Sequence, residues 1–299
     1  MTSYNKIITG NKIIRHETIA QMIEGLIKKR NQSLLGITIL EPDGRLGKVL
    51  REETRKRKMV LKTIDPTIKE AEYIINPLQG QFDDVTNRIL NTFKYLYKKR
   101  YMTLTESEYE YLENIVGLVR SVKGNNTTFS EILELVRDKA VLEAEVNKQK
   151  DDLKSNKHIR YFKTKLKEKT YEESIKGIEI MLTDLIQDHM YKRYYNQKAG
   201  IDTIKSLVIG DLININTVSH KERVKGDVFG YLLLQTIKDS IKERKLREKV
   251  VPHYLIIEEA ERYISYEELR ELKELAKKEN IHIVTGIEDS QFLMEQKTS

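Results

Sequence analysis

Residues 253–264 read HYLIIEEAERYI. Tyr254, Leu255, Ile256 and Ile257 form a short apolar run that ends abruptly in two carboxylates, Glu258 and Glu259. A buried parallel strand delivering acids at its C-terminal edge has this form, and that edge is where open α/β sheets take ligands. Two adjacent acids there suit phosphoryl chemistry: one carboxylate in a magnesium shell, the next orienting a water for attack. The plainer reading is a core strand followed by the acidic first turn of a solvated helix, which the helix dipole favours. The residues upstream separate the two.

Upstream, strand and helix patterns alternate. Residues 6–9 (KIIT) form a strand candidate ending at Gly10. Residues 17–30 carry Ile19, Met22, Ile23, Leu26 and Ile27 at helical spacing, with Lys28, Lys29 and Arg30 at the end where the dipole favours cations. Residues 34–40 (LLGITIL) read as a buried strand running into the turn Glu41-Pro42-Asp43-Gly44. Another helix follows, then a strand around 59–64 (MVLKTI), then Ile74-Ile75-Asn76-Pro77-Leu78.

From about residue 85 to 199 the period changes to three or four, through Val85, Ile89, Phe93 and Leu96, then Leu112, Ile115, Val116 and Val119. Phe129, Ile132, Leu133 and Val136 continue it, as do Leu182, Leu185, Ile186, His189 and Met190. This predicts four to six amphipathic helices without a strand, with a cap at Thr128 or Ser130. Residues 139–169 predict an exposed helical pair. Its basic stripe of Lys154, Lys157, Arg160, Lys163, Lys165, Lys167 and Lys169 holds Tyr161 and Phe162, and suits either DNA contact or a solvated face. Alternation resumes with strands at 206–213 (SLVIGDLI), 254–257 and 281–285 and helices at 227–244 and 267–278. The fold class predicted is α/β, a parallel-sheet core with a large all-helical insertion. Residues 1–84 and 201–299 form the two parts of the core, and 85–200 the insertion.

The 299 residues contain no cysteine, which excludes disulfides and thiolate metal sites and fits a reducing compartment. The six histidines are scattered, so a metal site built from histidine alone is not expected. No apolar run approaches the roughly 20 residues that cross a bilayer, and the N-terminus lacks a signal-peptide core. The expectation is a cytoplasmic protein without a transmembrane segment. The net charge of +7 sits in the first third, where 20 Lys and Arg face 11 Asp and Glu. The clusters around Arg51, Arg55, Lys56, Arg57, Lys58 and Lys62, and at Lys98, Lys99 and Arg100, suit a polyanion such as DNA or nucleotide phosphate, or equally a solvated face.

Taken in order, these pieces resemble the motor domains of the FtsK/HerA superfamily, specifically the conjugation and type IV secretion ATPases that drive or couple DNA transfer. Glu41-Pro42-Asp43-Gly44 matches the Asp-Pro-Lys-Gly-like turn that ends the family's second strand, and Asn76-Pro77-Leu78 the turn that introduces its helical domain. The run to Glu258 and Glu259 takes the Walker B place, with Ala260 and Arg262 continuing it. The resemblance spans nearly the whole chain. It implies a RecA-like, P-loop NTPase fold, an ATP/Mg cofactor, and an oligomer working with DNA-transfer machinery, possible targets being DNA and a membrane complex touched peripherally.

The catalytic motifs depart from that pattern. A phosphate loop needs glycines whose amides wrap the phosphates, plus a Lys and a Ser/Thr. The equivalent stretch runs from Gly10 to Thr18, GNKIIRHET. With Gly10 as the first glycine, Arg15 takes the second, His16 the lysine and Glu17 the Ser/Thr position. Shifting by one offers Thr18 for magnesium but puts Glu17 at the lysine. Neither register works, although Lys12 or Arg15 still offers a positive charge for weak nucleotide binding. Glu258, the metal ligand by analogy, is one methylene longer than the family's Asp. Glu259 matches the catalytic glutamate, and Gly286-Ile287-Glu288 after Thr285 lacks the sensor glutamine.

Three functions follow. The favoured one is a hydrolysis-impaired ATPase-like subunit of a DNA-transfer apparatus, binding nucleotide weakly or not at all and acting through a motor, channel or DNA. A second is an active, divergent ATP-driven DNA translocase, with Lys12 or Arg15 on phosphates, Glu258 on magnesium and Glu259 orienting water. A third is a protein- or nucleic-acid-binding module without ATPase ancestry. A site shared between subunits, with Arg262 or Arg270 supplied to a neighbour, is a further arrangement compatible with the resemblance.

Overall fold

The computed structural model describes residues 5–69, 73–148, 156–168, 171–244, 251–288 and 292. Six strands, β1 (Lys6–Thr9), β2 (Gly36–Glu41), β3 (Lys62–Ile64), β4 (Leu212–Asn216), β5 (His253–Ile257) and β6 (Ile281–Ile287), form one sheet in the order β1-β6-β5-β2-β4-β3. Every pairing is parallel. All residues of β2 and β4 are buried, and neither strand carries a charge before Glu41 at the end of β2, as strands covered on both faces require.

Helices α1 (Lys12–Arg30) and α2 (Arg45–Lys56) follow the first two strands. A helical stretch follows: α3 (Phe82–Lys99), α4 (Glu106–Lys123), α5 (Phe129–Arg137), α6 (Lys139–Lys148), α7 (Lys157–Lys165), α8 (Tyr171–Gln187) and α9 (Lys192–Tyr195). The chain returns to the sheet through α10 (Thr203–Ile209), α11 (Arg223–Arg244) and α12 (Tyr266–Lys278). Two compact units result: Met1–Ile75 with Ile201–Ser299, and Asn76–Gly200.

In the sheet unit α1 and α2 pack on one another. Ile19, Ile23, Leu26 and Ile27 of α1 and Leu46 and Leu50 of α2 share one apolar cluster with Ile8, Ile37, Ile39, Leu212, Ile256 and Val284 of the strands. Helix α11 contacts both α10 and α12. The connections through α1 and α2 run across the sheet in one direction and those through α11 and α12 in the other. Right-handed crossovers therefore place the two helix groups on opposite faces.

The helical unit has the expected core: Val85, Ile89, Phe93, Leu112, Ile115, Val116, Phe129, Ile132 and Leu182 are all buried. Capping boxes start α4 at Thr105/Glu108 and α5 at Thr128/Glu131. Three readings need correction. Residues 206–213 are not one strand: Asp202 caps a helix, left-handed Gly210 ends it, and β4 begins only at Leu212. His189 lies beyond the end of α8 and is exposed. In the basic stripe Phe162 is buried, edge-on to Tyr111 at 5.6 Å, and is core rather than a stacking platform. Lys154 and Lys169 lie outside the described residues.

Candidate functional site

Three chain reversals meet at the carboxyl edge of the sheet. β1 ends at Thr9, Gly10 turns with φ +122°, and Asn11 caps α1 by accepting the amide of Ile14 at 3.0 Å. Helix α1 therefore starts at Lys12, five residues earlier than its apolar spacing predicts, and its first turn projects Lys12 and Arg15 over the edge. β2 ends at Glu41, whose carboxylate accepts the amides of Leu46 at 2.8 Å and Gly47 at 2.7 Å and so caps α2 from a distance. Gly47 is required there: a β-carbon would stand 2.6 Å from that carboxylate and 2.1 Å from Asn214. β5 ends at Ile257; the amide of Glu258 still donates to Leu40 at 2.9 Å, and Glu259 then takes the left-handed conformation (φ 51°).

Cations of α1 engage both acids. The Lys12 ammonium lies 2.8 Å from Glu259 and 3.0 Å from Asp43. Arg262 holds the second oxygen of Glu259 and approaches Asp227 at 3.6 Å. The buried Arg15 donates through Nε to one oxygen of Glu258 at 3.2 Å, with Nη2 forming an ion pair to the same oxygen at 3.2 Å, and through Nη1 to the carbonyl of Gly10 at 2.9 Å. Its Nη2 also reaches Glu288 at 3.5 Å. The other oxygen of Glu258 is buried without a hydrogen bond, as is the hydroxyl of Thr285 on β6.

These contacts set the charges. Burial pushes Glu258 up to about 7 against the pull of Arg15. It pushes Glu41 up to about 8 against the amides of Gly47 and Leu46. For Glu259 and Asp43 burial acts the same way and is the largest single influence, but Lys12 and Arg262 together outweigh it on Glu259, and Lys12 and Arg45 together on Asp43, so both stay below the usual carboxylate range. Burial opposes the Lys12 ammonium, and Glu259 and Asp43 hold it above the usual lysine range.

Of the residues singled out from sequence, the edge brings together Gly10, Lys12, Arg15, Glu258 and Glu259. Thr18 is not among them: its hydroxyl donates to the carbonyl of Ile14 at 2.8 Å. Gly10 to Thr18 does not wrap a cavity lined by amides; it is a turn and the start of a helix, on which Ile13 and Ile14 are exposed. Arg262 is engaged within the chain, and Arg270 comes no nearer than 3.9 Å to Glu267. Asp43 and Gly286 are the site residues that sequence reading missed; an acid straight after a strand-ending turn was the signal for Asp43. No group of three or more His, Asp and Glu among the described residues is arranged to hold a metal. The residues present do not fit a magnesium nucleotide, since both oxygens of Glu259 and one of Glu258 are taken by the chain's own cations, and the described stretch after β1 is a turn and a helix rather than a loop of amides.

No family model matches the chain, and no curated protein is similar to it. Among solved structures, VirB4 of Thermoanaerobacter pseudethanolicus superposes with a TM-score of 0.64, at 14% identity over 97% of this chain and 71% of that one. The bacterial conjugative coupling protein TrwB superposes in its unbound form with a TM-score of 0.59, at 11% identity over 97% of this chain. In complex with the non-hydrolysable ATP analogue ADPNP it does so at 0.60 and 13% identity, again over 97%. The chain spans 63% and 65% of these two TrwB structures, less than two thirds of their length. No helix among the described residues is long and apolar enough to cross a membrane. The α/β core expected from the FtsK/HerA resemblance is present, and the chain carries the P-loop NTPase fold of VirB4 and TrwB.

Proposed function

We propose that this chain is an ATPase-like subunit of a conjugation or type IV secretion apparatus, in which the nucleotide edge has become an ionic lock and the protein acts by binding. The observation that carries the reading is the position of Lys12, between Asp43 and Glu259 on a helix that starts three residues after the end of β1. In phosphoryl transfer the amide cradle and the metal supply most of the transition-state stabilisation. Here a lysine and an arginine of the protein sit on the acids that would hold metal and orient water. Ile13 and Ile14, exposed beside the lock, offer apolar surface to a second subunit, in keeping with an oligomer built into DNA-transfer machinery.

A second reading, an active and divergent ATP-driven DNA translocase, draws on one feature. The Lys12 side chain is 34% exposed, and its release would free Glu259. Steady-state hydrolysis of Mg-ATP with and without DNA, against Glu259→Gln, separates the two. The ionic lock predicts no turnover above that of the variant. Turnover abolished by Glu259→Gln would establish the translocase.

A further inference from the structure

The opposite, amino edge of the same sheet presents a different surface. Three exposed aliphatic side chains lie just before three adjacent strands: Leu34 (54% exposed) before β2, Ile209 (45%) before β4 and Val60 (71%) before β3. Single exposed aliphatics are ordinary; three on one rim are not. Contacts fix them together. A β-carbon on Gly210 would stand 3.1 Å from the carbonyl carbon of Leu35, so Ile209 adjoins the Leu34 segment. Lys62 of β3 reaches Ser206 of α10 at 3.2 Å and Asp211 at 2.5 Å, which draws the Val60 segment to the same place.

Cations ring these residues. The last turn of α1 is tied to the rim by Arg30, which donates to the carbonyl of Gly210 at 2.6 Å, and it exposes Lys28 and Lys29. Helix α2 crosses the sheet in the same direction as α1; its last turn exposes Arg55, and Lys58, in the turn just beyond it, is exposed two residues before Val60. Lys28, Lys29, Arg55 and Lys58 have no carboxylate partner among the described residues, and Asp211 is neutralised by Lys62. Aliphatic side chains inside a ring of unpaired cations match the two layers of an anionic bilayer surface, acyl boundary and headgroup phosphate. A nucleic acid would instead favour exposed aromatic or hydrogen-bonding groups among the cations; here the exposed rim side chains Leu34, Val60 and Ile209 are aliphatic, and the stacked Tyr254–His282 pair beside Lys29 is partly covered.

We propose that this amino-edge rim is a docking surface for anionic phospholipid membranes, holding the protein peripherally with the locked edge turned to the opposite end of the sheet. Sedimentation of the full chain with vesicles of phosphatidylcholine alone, and of phosphatidylcholine mixed with phosphatidylglycerol, tests it. The chain should pellet with the mixed vesicles only, and high salt should release it. Lys28→Glu/Lys29→Glu should lower the partition coefficient at least about 25-fold, roughly fivefold per cation removed. Leu34→Ser/Val60→Ser/Ile209→Ser should also lower it, with both variants shown to be folded by circular dichroism melting. Failure to pellet, equal binding to neutral vesicles, or binding unchanged in either variant overturns the proposal. Duplex DNA that binds the wild type and the aliphatic variant alike, while neither pellets with vesicles, makes the rim a nucleic-acid surface.

Discussion

A β-carbon on Gly286 would stand 1.8 Å from Oε2 of Glu258. The longer acid just after β5 and the missing side chain on β6 are therefore one feature: the glutamate occupies the space that the glycine leaves open, and from there it meets Arg15. Gly286→Ala should destabilise by about 1–3 kcal/mol, because the buried carboxylate has nowhere to move. Adding Glu258→Asp should restore most of that loss in chemical denaturation, since the shorter acid withdraws from the new methyl. Equal instability of the single and double variants would refute the complementarity.

Arg15 and Glu258 are both buried, so removing either strands the other. Arg15→Leu should cost about 3–5 kcal/mol. Arg15→Leu/Glu258→Leu should cost much less than the sum of the two single changes, as removal of both charges leaves none uncompensated. A double-mutant cycle in urea gives the coupling directly, and additive losses would mean that the pair does not interact.

The protonation of Glu258 gives a pH signature. Its folded-state value, pushed up to about 7, lies above the ordinary carboxylate value, so between the two the folded chain holds a proton that the unfolded chain releases. The stability this contributes is fully present below the ordinary value and is lost as pH rises to about 7. Glu258→Gln should differ from the wild type by a constant offset, from the altered Arg15 contact, plus a gain over the wild type that grows to roughly 3 kcal/mol by about pH 8. Melting both proteins from about pH 5 to 8 checks it; a gap that stays constant with pH would mean that Glu258 titrates as an ordinary carboxylate.

In the helical unit Phe162 packs on Tyr111, and the neighbouring His158 lies against Gly117 of α4, where a β-carbon would come within 2.4 Å of its ring. Phe162→Ala should cost about 3–5 kcal/mol as a cavity-forming change. DNA binding by the folded fraction, measured by fluorescence anisotropy, should not change, because the ring faces the core.

Local signals carried much of the fold. The run ending at Glu258, the helix cap, placed at Thr128 or Ser130 and found at Thr128, and the apolar steps of α3 to α5 were legible because each is set by residues a few positions apart. The run SLVIGDLI was not: its composition suits strand or helix, and the Asp202 cap with left-handed Gly210 decides for helix over its first half. Asn11 acts similarly, starting α1 well before its apolar spacing begins. At the site, Lys12, Arg15, Glu258 and Glu259 were all singled out, but with the cations facing phosphates. Their pairing with the acids spans more than 240 positions and follows from the β1-β6-β5 order, which no local pattern encodes.

The ionic lock is tested most directly by calorimetric titration of the full chain with Mg-ATP, beside Lys12→Ala and Glu259→Gln. The account predicts no heat of binding for the wild type at millimolar nucleotide. Micromolar binding by the wild type that weakens in Lys12→Ala would contradict it, placing Lys12 on phosphate rather than between Asp43 and Glu259.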